Sequence, residues 1–124
     1  MVWDSNIIIY SSKSEYPFIK NRAKNTPVIV SAISYLEVLG YHRLDVSDEA
    51  YFERFFRAVT IIDINTHILS VATKLRQKRK MSAGDAIIAA TAIGMNMPLL
   101  TRNAKDFSLI PDLDVVNPFE KLRT

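Results

Sequence analysis

Short apolar segments alternate with longer helical patterns along the whole chain, and this alternation constrains the fold more than any other feature. A parallel pair of strands needs a long crossover, which a helix supplies, so the alternation favours a parallel sheet. We therefore expect an α/β fold, a three-layer α/β/α sandwich with a central, mainly parallel sheet of four to five strands. The predicted strands are Val2–Trp3, Val28–Val30, Thr60–Ile64, Pro98–Thr101 and Asp114–Val116.

Helices are predicted between these strands from capping residues and helical periodicity. Aromatic residues in the third helix recur at helical spacing, which indicates core or, in part, an interface; they are Tyr51, Phe52, Phe55 and Phe56. The last long helix contains Ala86–Ile93, which is apolar on every side and is therefore expected to be buried. The helices follow the turn Asp4–Asn6, cover Ala32–Tyr41, begin at N-caps Ser47 and Thr66, and cover Ser82–Asn96, with a helical turn within Arg102–Ile110.

Length and composition indicate one soluble domain over residues 1–124. The chain has no cysteine, which excludes a disulfide framework and thiolate metal sites. No apolar run reaches the roughly 18 residues of a membrane span, and the N-terminus lacks the basic start of a secretion signal. We therefore expect a cytoplasmic protein with no membrane association.

Four acidic residues, Asp4, Glu37, Asp85 and Asp106, stand where a parallel sheet would gather them at one edge. Asp4 and Asp106 follow strands, whereas Glu37 and Asp85 lie in helices expected to begin at the carboxyl edge, where ligands of such folds bind. Two like charges about 4 Å apart repel by roughly 4 kcal/mol at an effective dielectric near 20. Such a cluster needs a cation or a shared proton.

Each acid also has a simpler interpretation, which the residues alone leave open. Asp4 can bond its own backbone in a turn, Glu37 can be a surface residue near a helix start, and Asp106 can be solvated. Asp85 can belong to a capping arrangement with Ser82. That interpretation fits Asp85 least well, because the helix it opens is buried and its carboxylate needs a partner.

Five cations lie within seven residues just before Asp85, while the formal net charge of the chain is only +3. Their simplest interpretation is the solvated end of a helix, where cations complement the dipole. Beside an acidic centre, however, a basic rim suits a phosphodiester substrate, and Arg76, Lys78, Arg79 and Lys80 are the candidate contacts to a nucleic-acid backbone. The cluster is Lys74, Arg76, Lys78, Arg79 and Lys80.

Several segments, in matching order and spacing over nearly the whole chain, resemble the PIN-domain ribonucleases, and within them the VapC toxins of toxin–antitoxin pairs. The resemblance implies a PIN-like fold and an endoribonuclease that uses Mg²⁺ or Mn²⁺ and leaves 5′-phosphate and 3′-hydroxyl ends. It also implies a homodimer and a VapB-like antitoxin partner. The segments are Asp4–Tyr10, Ser31–Glu37, Asp85–Ala92, Leu100–Phe107 and Val116–Pro118.

The resemblance assigns roles to individual residues. Asp4, Glu37 and Asp85 match the three best-defined acids of the family, and Asp106 is expected to complete the metal and catalytic set. Other polar residues are expected to support the site: Asn103 competes with or assists Asp106, Ser5 and Thr101 orient polar groups, and Asn6 holds the turn. No histidine base is required, so His42 and His67 are expected to be structural or exposed.

Two other functions remain under consideration. An aspartyl-phosphate phosphatase or receiver-like domain also places an Asp after its first strand, but it usually has Asp-x-Asp, and Asn6 occupies the third position here. A catalytically weak PIN-type module that only binds RNA or protein is the second alternative.

Overall fold

The computed structural model describes residues 1–120, and within them five strands form one sheet. Every neighbouring pair is parallel, and the strand order is β3-β2-β1-β4-β5. This confirms the predicted parallel α/β architecture. The strands are β1 Val2–Trp3, β2 Ile29–Ser31, β3 Thr60–Ile62, β4 Leu99–Leu100 and β5 Val115–Val116.

Seven helices connect and flank the strands of the described part of the chain. All but α2 had been predicted, with ends that differ by a few residues. The segment that forms α2 is largely polar and buries only Ile19, so it carries no apolar stripe that would have revealed it. The helices are α1 Ser5–Ser11, α2 Pro17–Asn25, α3 Ala32–Leu39, α4 Val46–Ala58, α5 Thr66–Lys78, α6 Ala83–Met95 and α7 Ala104–Phe107.

Hydrophobic clusters cover both faces of the sheet, because successive strand residues point to opposite sides. Val2 and Leu99 belong to the cluster that includes buried residues of α5 and α6. Trp3 and Leu100, the next residues of the same strands, belong to the cluster formed with α1 to α4. Helices therefore lie on both faces, which confirms the three-layer prediction.

The apolar helix α6 is the most buried helix of the molecule, as its sequence predicts. Ser82 caps its N-terminus, and Asn96 ends it in the left-handed conformation with φ of 52°. Asn tolerates this conformation better than most residues with a side chain. The buried residues of α6 are Ala86, Ile88, Ala89, Ala90, Thr91 and Ala92.

Two predicted N-caps were wrong by one or two positions. Asp45 rather than Ser47 caps α4, because its carboxylate accepts the Asp48 N–H over 2.8 Å. Asn65 rather than Thr66 caps α5 in the same way, accepting from the Ile68 N–H. In both places the earlier of two suitable polar residues takes the cap, so the helix starts earlier than predicted.

The aromatic stripe of α4 belongs in part to the hydrophobic core. Phe52 and Phe56 are buried, whereas Tyr51 and Phe55 are partly buried. Trp3 of β1 is buried and lies with its ring centroid 5.9 Å from that of Phe55. These contacts join α4 to the sheet.

Two further observations concern residues outside the acidic cluster and the lengths of the helices. His42 and His67 are exposed, in agreement with the prediction that neither belongs to the acidic cluster. Within residues 1–120, no helix is long and apolar enough to cross a membrane.

The central strands β1 and β4 create the crevice that holds the candidate site. Chain connections lead from β1 outward to β2 and β3 on one side, and from β4 to β5 on the other. Such a reversal of strand order separates the connecting segments at the carboxyl ends of the two strands, where ligands of open α/β sheets bind. Asp4 follows β1, and Thr101 follows β4, at this point.

Candidate active site

Asp4 is the buried acid at the centre of the crevice, with only 5% of its surface exposed. Its Oδ1 accepts the Ile7 N–H over 2.9 Å and thereby caps α1. Its Oδ2 accepts a short hydrogen bond from the hydroxyl of Thr101. The turn interpretation is therefore correct for one carboxylate oxygen, and the other oxygen links the ends of β1 and β4.

Opposing influences act on the pKa of Asp4. Burial raises this pKa above its ordinary value, while the hydrogen bonds from Thr101 and Ile7 lower it and the negative charge of Asp85 raises it further. The net effect is a raised pKa. The two hydrogen bonds therefore do not fully offset the effect of burial on the ionised form of Asp4. A cation close to the carboxylate would stabilise this ionised form.

Glu37 reaches the site differently from the prediction. It is the sixth residue of α3 and is not at the helix start, so its position owes nothing to the helix N-terminus. Its Oε1 accepts the Ser5 hydroxyl over 2.6 Å, and the same hydroxyl lies 2.9 Å from Oγ of the buried Ser34. The side chain extends across the first turn of α6, where its carboxylate lies against Gly84.

Asp85 lies in the first turn of α6 and is half-buried. Its backbone N–H donates to the Ser82 hydroxyl over 3.1 Å, so the capping interpretation also holds. Burial raises the pKa of the Asp85 carboxyl, and the charges of Glu37 and then Asp106 raise it further, against a lowering hydrogen bond with Ser82. Asp85 is thus the acid that interacts electrostatically with all the others.

One small pocket, of about 180 Å³, brings the three best-defined acids together. Two apolar side chains contribute to its lining, and the remaining lining is polar. This arrangement gathers residues that are 33 and 48 positions apart along the chain. The lining residues are Asp4, Ser5, Asn6, Ile9, Glu37, Asp85 and Ile88.

Asp106 lies on the other side of Asp85 and does not line this pocket. Its Oδ2 accepts the side-chain amide of Asn103 over 2.7 Å, and the Asn103 backbone N–H donates to Oγ1 of Thr101 over 3.0 Å. A continuous set of hydrogen bonds therefore runs from Asp106 through Asn103 and Thr101 to Asp4. Asp106 and Asn103, the two candidates for the fourth residue of the metal site, are thus both linked to Asp4 by hydrogen bonds.

A larger cleft, of about 690 Å³, adjoins the acid pocket and shares Asp85 with it. Three of the predicted RNA contacts line it, whereas Lys78 does not. Arg76 donates through Nε to the Met81 carbonyl, and Arg79 through Nη1 to the Leu75 carbonyl, so both guanidinium groups are oriented by backbone oxygens. The lining residues are Arg76, Arg79, Lys80, Met81, Ser82, Asp85, Lys105, Asp106, Phe107 and Leu109.

The donor chemistry fits a hard divalent cation. All polar side chains of the acid pocket offer oxygen, or in Asn6 an amide, and Mg²⁺ and Mn²⁺ prefer oxygen ligands. In residues 1–120, no three acidic or histidine side chains are close enough to hold one ion jointly. Mg²⁺ commonly binds only one or two carboxylates directly and keeps several waters, which agrees with this spacing.

Four residues near the site had not been predicted: Ser34, Gly84, Arg102 and Lys105. Lys105 precedes Asp106 and could have been inferred from that proximity. The guanidinium of Arg102 lies 4.1 Å from the ring centroid of Phe119 and 5.3 Å from that of Tyr10, a contact that no local pattern indicates. Ser34 and Gly84 act through tertiary contacts with Ser5 and Glu37.

A parallel α/β fold with acidic side chains at its topological reversal defines a class of protein with a polar ligand site at the carboxyl edge of the sheet. Residues 1–113 match the model of the PIN domain family. The chain belongs to the PIN domain family, and the resemblance drawn from the sequence is confirmed.

Curated relatives and solved structures agree with this membership. Ribonuclease VapC2 of Rickettsia felis is 28% identical over 126 residues, covering 92% of this chain and 94% of that protein. Ribonuclease VapC1 of Haemophilus influenzae strain R2866 is 27% identical over 126 residues, covering 89% and 91%.

The similar solved structures include toxin–antitoxin complexes. A toxin–antitoxin complex from Klebsiella pneumoniae contains a chain that is 33% identical, with a TM-score of 0.76 and coverage of 94% of this chain and 96% of that one. VapBC-1 from nontypeable Haemophilus influenzae gives 26% identity, a TM-score of 0.79 and coverage of 96% and 99%.

Proposed function

We propose that this protein is a Mg²⁺- or Mn²⁺-dependent endoribonuclease that hydrolyses RNA phosphodiesters to 5′-phosphate and 3′-hydroxyl ends. The observation that carries the proposal is the convergence of Asp4, Glu37 and Asp85 on one pocket beside a basic cleft. A lone acidic cluster would suit many functions, but acids next to oriented cations suit a metal-assisted reaction on a polyanion.

The acids have separate tasks in this mechanism. A divalent cation, when bound, acts as a Lewis acid that lowers the pKa of water and offsets charge on the scissile phosphate. Asp4, Glu37 and Asp85 would hold it, one or two of them directly and the others through its bound waters, with Asp106 beside Asp85 as the fourth acid. Ser5 orients Glu37, Thr101 orients Asp4, and Asn103 orients Asp106, because each donates a side-chain hydrogen bond to the carboxylate.

The cleft would hold the RNA backbone next to the acids. Arg76, Arg79 and Lys80 were expected there, and Lys105 adds a cation from α7. Because their contacts are with phosphates, these side chains position RNA without reading its sequence. Lys78 lies outside the lining residues and is retained only as a contributor to the general positive field.

We further propose a toxin role with a VapB-like antitoxin and a homodimeric state in the cytoplasm. The similar solved structures described as toxin–antitoxin and VapBC complexes support an antitoxin partner. Exposed apolar side chains on and after α3 support a protein contact there: Tyr35 is 50%, Leu36 65% and Tyr41 53% exposed. Growth arrest on expression, relieved by co-expression of a VapB-like protein, would test the toxin role.

Cleavage of defined RNAs by the purified protein tests the enzymatic proposal. We expect cleavage with MgCl₂ or MnCl₂, none with EDTA, and products that accept ligation at a 5′-phosphate and extension at a 3′-hydroxyl. Cleavage that persists in EDTA or leaves 2′,3′-cyclic phosphate ends would contradict it. RNA binding without metal-dependent turnover would instead favour the catalytically weak binding module.

A further inference from the structure

Gly84 is the residue that the Glu37 carboxylate contacts on α6. A Cβ built at Gly84 would lie 3.1 Å from Cδ and 3.4 Å from Oε1 of Glu37, and it would collide with Oε2. All three of these nearest atoms belong to the same carboxylate group. Any side chain at position 84 would therefore have to displace Glu37.

The other side of this carboxylate is held by Ser5. The Ser5 hydroxyl donates to Oε1 over 2.6 Å, while Oε2 faces the bare Cα of Gly84. Glu37 is exposed and sits in the middle of α3, so its own helix does not aim it at the pocket. The two contacts together fix where its carboxylate lies, beside Asp85.

Backbone conformation does not explain glycine at this position. No glycine in residues 1–120 has a positive φ, so Gly84 adopts a conformation that alanine adopts readily. Alanine would also favour the helix more than glycine does. What glycine supplies here is the absence of a side chain.

We propose that Gly84 is a positioning residue for the metal site, because its missing side chain lets the Glu37 carboxylate lie against the first turn of α6. This inference rests on the proposed function, since it assigns Gly84 an effect on metal binding. It also makes a purely structural claim, which is a steric coupling between positions 84 and 37. The two claims are tested separately.

Gly94 provides a matched control in the same helix. It is exposed, and a Cβ placed there would meet nothing within 4 Å. Gly94→Ala should therefore raise the thermal unfolding midpoint of the metal-free protein through helix propensity alone and leave metal binding unchanged. Gly84→Ala should stabilise less than Gly94→Ala, because its gain in propensity is offset by displacement of Glu37.

Metal affinity is the first readout and is measured by Mn²⁺ titration of the full chain without RNA, followed by the Mg²⁺ dependence of cleavage. Gly84→Ala should weaken Mn²⁺ binding by about tenfold or more, the usual effect of disturbing the residues around a metal ligand. The maximal cleavage rate at saturating Mg²⁺ should fall less than the affinity. Unchanged Mn²⁺ affinity in Gly84→Ala, with wild type binding normally, would overturn the inference.

A double-mutant cycle with Glu37→Ala is the second readout and needs no activity. Once Glu37 is truncated, Gly84→Ala should stabilise the metal-free protein as much as Gly94→Ala does. If Gly84→Ala alone does not fold, recovery of folding in the double variant supports the steric coupling, and failure to recover overturns it. Absence of Mn²⁺ binding in wild type would refute the proposed function while the cycle still reports on the contact.

Discussion

The hydroxyl of Thr101 donates a hydrogen bond to Oδ2 of Asp4, joining the carboxyl ends of the two central strands. Thr101 is fully buried and in turn accepts the backbone N–H of Asn103. The bond stabilises the ionised form of an acid whose pKa is raised by burial. Thr101 therefore links the fold of the sheet to the charge state of the site.

Thr101→Val should weaken both stability and metal binding. Valine keeps the shape of threonine but leaves Oδ2 of Asp4 without its side-chain donor, and a hydrogen bond to a charged group contributes roughly 1.5–3 kcal/mol. We expect a loss of about that size in the free energy of unfolding near neutral pH, measured by urea denaturation.

Thr91→Val is the control for this experiment. Thr91 is also buried, but its hydroxyl donates to the Ile87 carbonyl within α6 and touches no acid. Its removal should cost about 1 kcal/mol or less, as for a neutral hydrogen bond. If both variants lose the same free energy of unfolding, the hydrogen bond to Asp4 stabilises the fold no more than a neutral hydrogen bond does.

The free energy of unfolding should depend on pH because the ionised carboxylates of the metal-free site are destabilised by burial and by one another. Asp4 and Asp85 have raised pKa values, so between about pH 3.8 and those values the folded protein binds more protons than the unfolded chain. Their contribution to stability is complete below that window and is lost as the pH rises through it. In EDTA, Asp85→Asn should therefore be more stable than wild type at neutral pH, although it should not cleave RNA.

Magnesium and Asp45 supply the controls. MgCl₂ should raise the unfolding midpoint of wild type at neutral pH but not that of Asp85→Asn. Asp45 has a lowered pKa, because its carboxylate accepts the Asp48 N–H and the Ser47 hydroxyl, so its contribution is present above pH 3.8 and lost as the pH falls through its lower pKa. Asp45→Asn should lower stability by a constant amount above pH 3.8 and remove that acidic limb, without changing the pH dependence that Asp4 and Asp85 cause. A neutral-pH destabilisation by Asp85→Asn in EDTA would contradict this account.

Local sequence patterns predicted the parts of the site that follow directly from chain order. Asp4 ends a two-residue strand and Asp85 opens a buried helix, so their positions could be inferred from apolar segments and topology. The sequence assigned Glu37 to the site but could not predict how its side chain reaches the pocket. The position of its carboxylate depends on contacts with Ser5 of α1 and Gly84 of α6. Such tertiary contacts leave no periodic signal.

The end of α5 accounts for which cations of the basic cluster line the cleft. The helix ends at Lys78 and the backbone of Arg79 is extended, so Arg79 and Lys80 leave the helical path and line the cleft with Arg76, whereas Lys78 does not. Side-chain spacing along a helix therefore does not predict this arrangement. Lys105 could have been inferred only from its place next to Asp106, because the short helix α7 that brings it to the cleft carries little pattern of its own.

Asp106→Asn should reduce metal affinity by about tenfold, as a neighbour of the ligands does, and should leave measurable cleavage. Asp106 borders Asp85 across the basic cleft but does not line the pocket of Asp4 and Glu37. Its carboxylate also holds Asn103 through a 2.7 Å hydrogen bond. The measurement is the Mg²⁺ concentration for half-maximal cleavage, compared with that of Asn103→Ala.

Two outcomes distinguish the competing residues of the fourth place. A larger loss in Asp106→Asn than in Asn103→Ala agrees with a direct charge effect on the metal site. An equal or larger loss in Asn103→Ala would mean that Asn103 contributes more, and would contradict the assignment of Asp106 as the fourth acid.

Lys80→Ala should weaken RNA binding and reduce its salt dependence, whereas Lys78→Ala should change both much less. Both are exposed lysines near the end of α5, but only Lys80 lines the cleft beside Asp85. Loss of one phosphate contact should reduce the slope of log affinity against log salt by about 0.7 for single-stranded RNA. Binding is measured with Asp85→Asn protein, so that cleavage does not interfere, by fluorescence anisotropy over a series of KCl concentrations. Equal reductions in slope for the two variants would mean that the cluster acts as a diffuse positive field, and the cleft would then have no specific role in holding the RNA backbone.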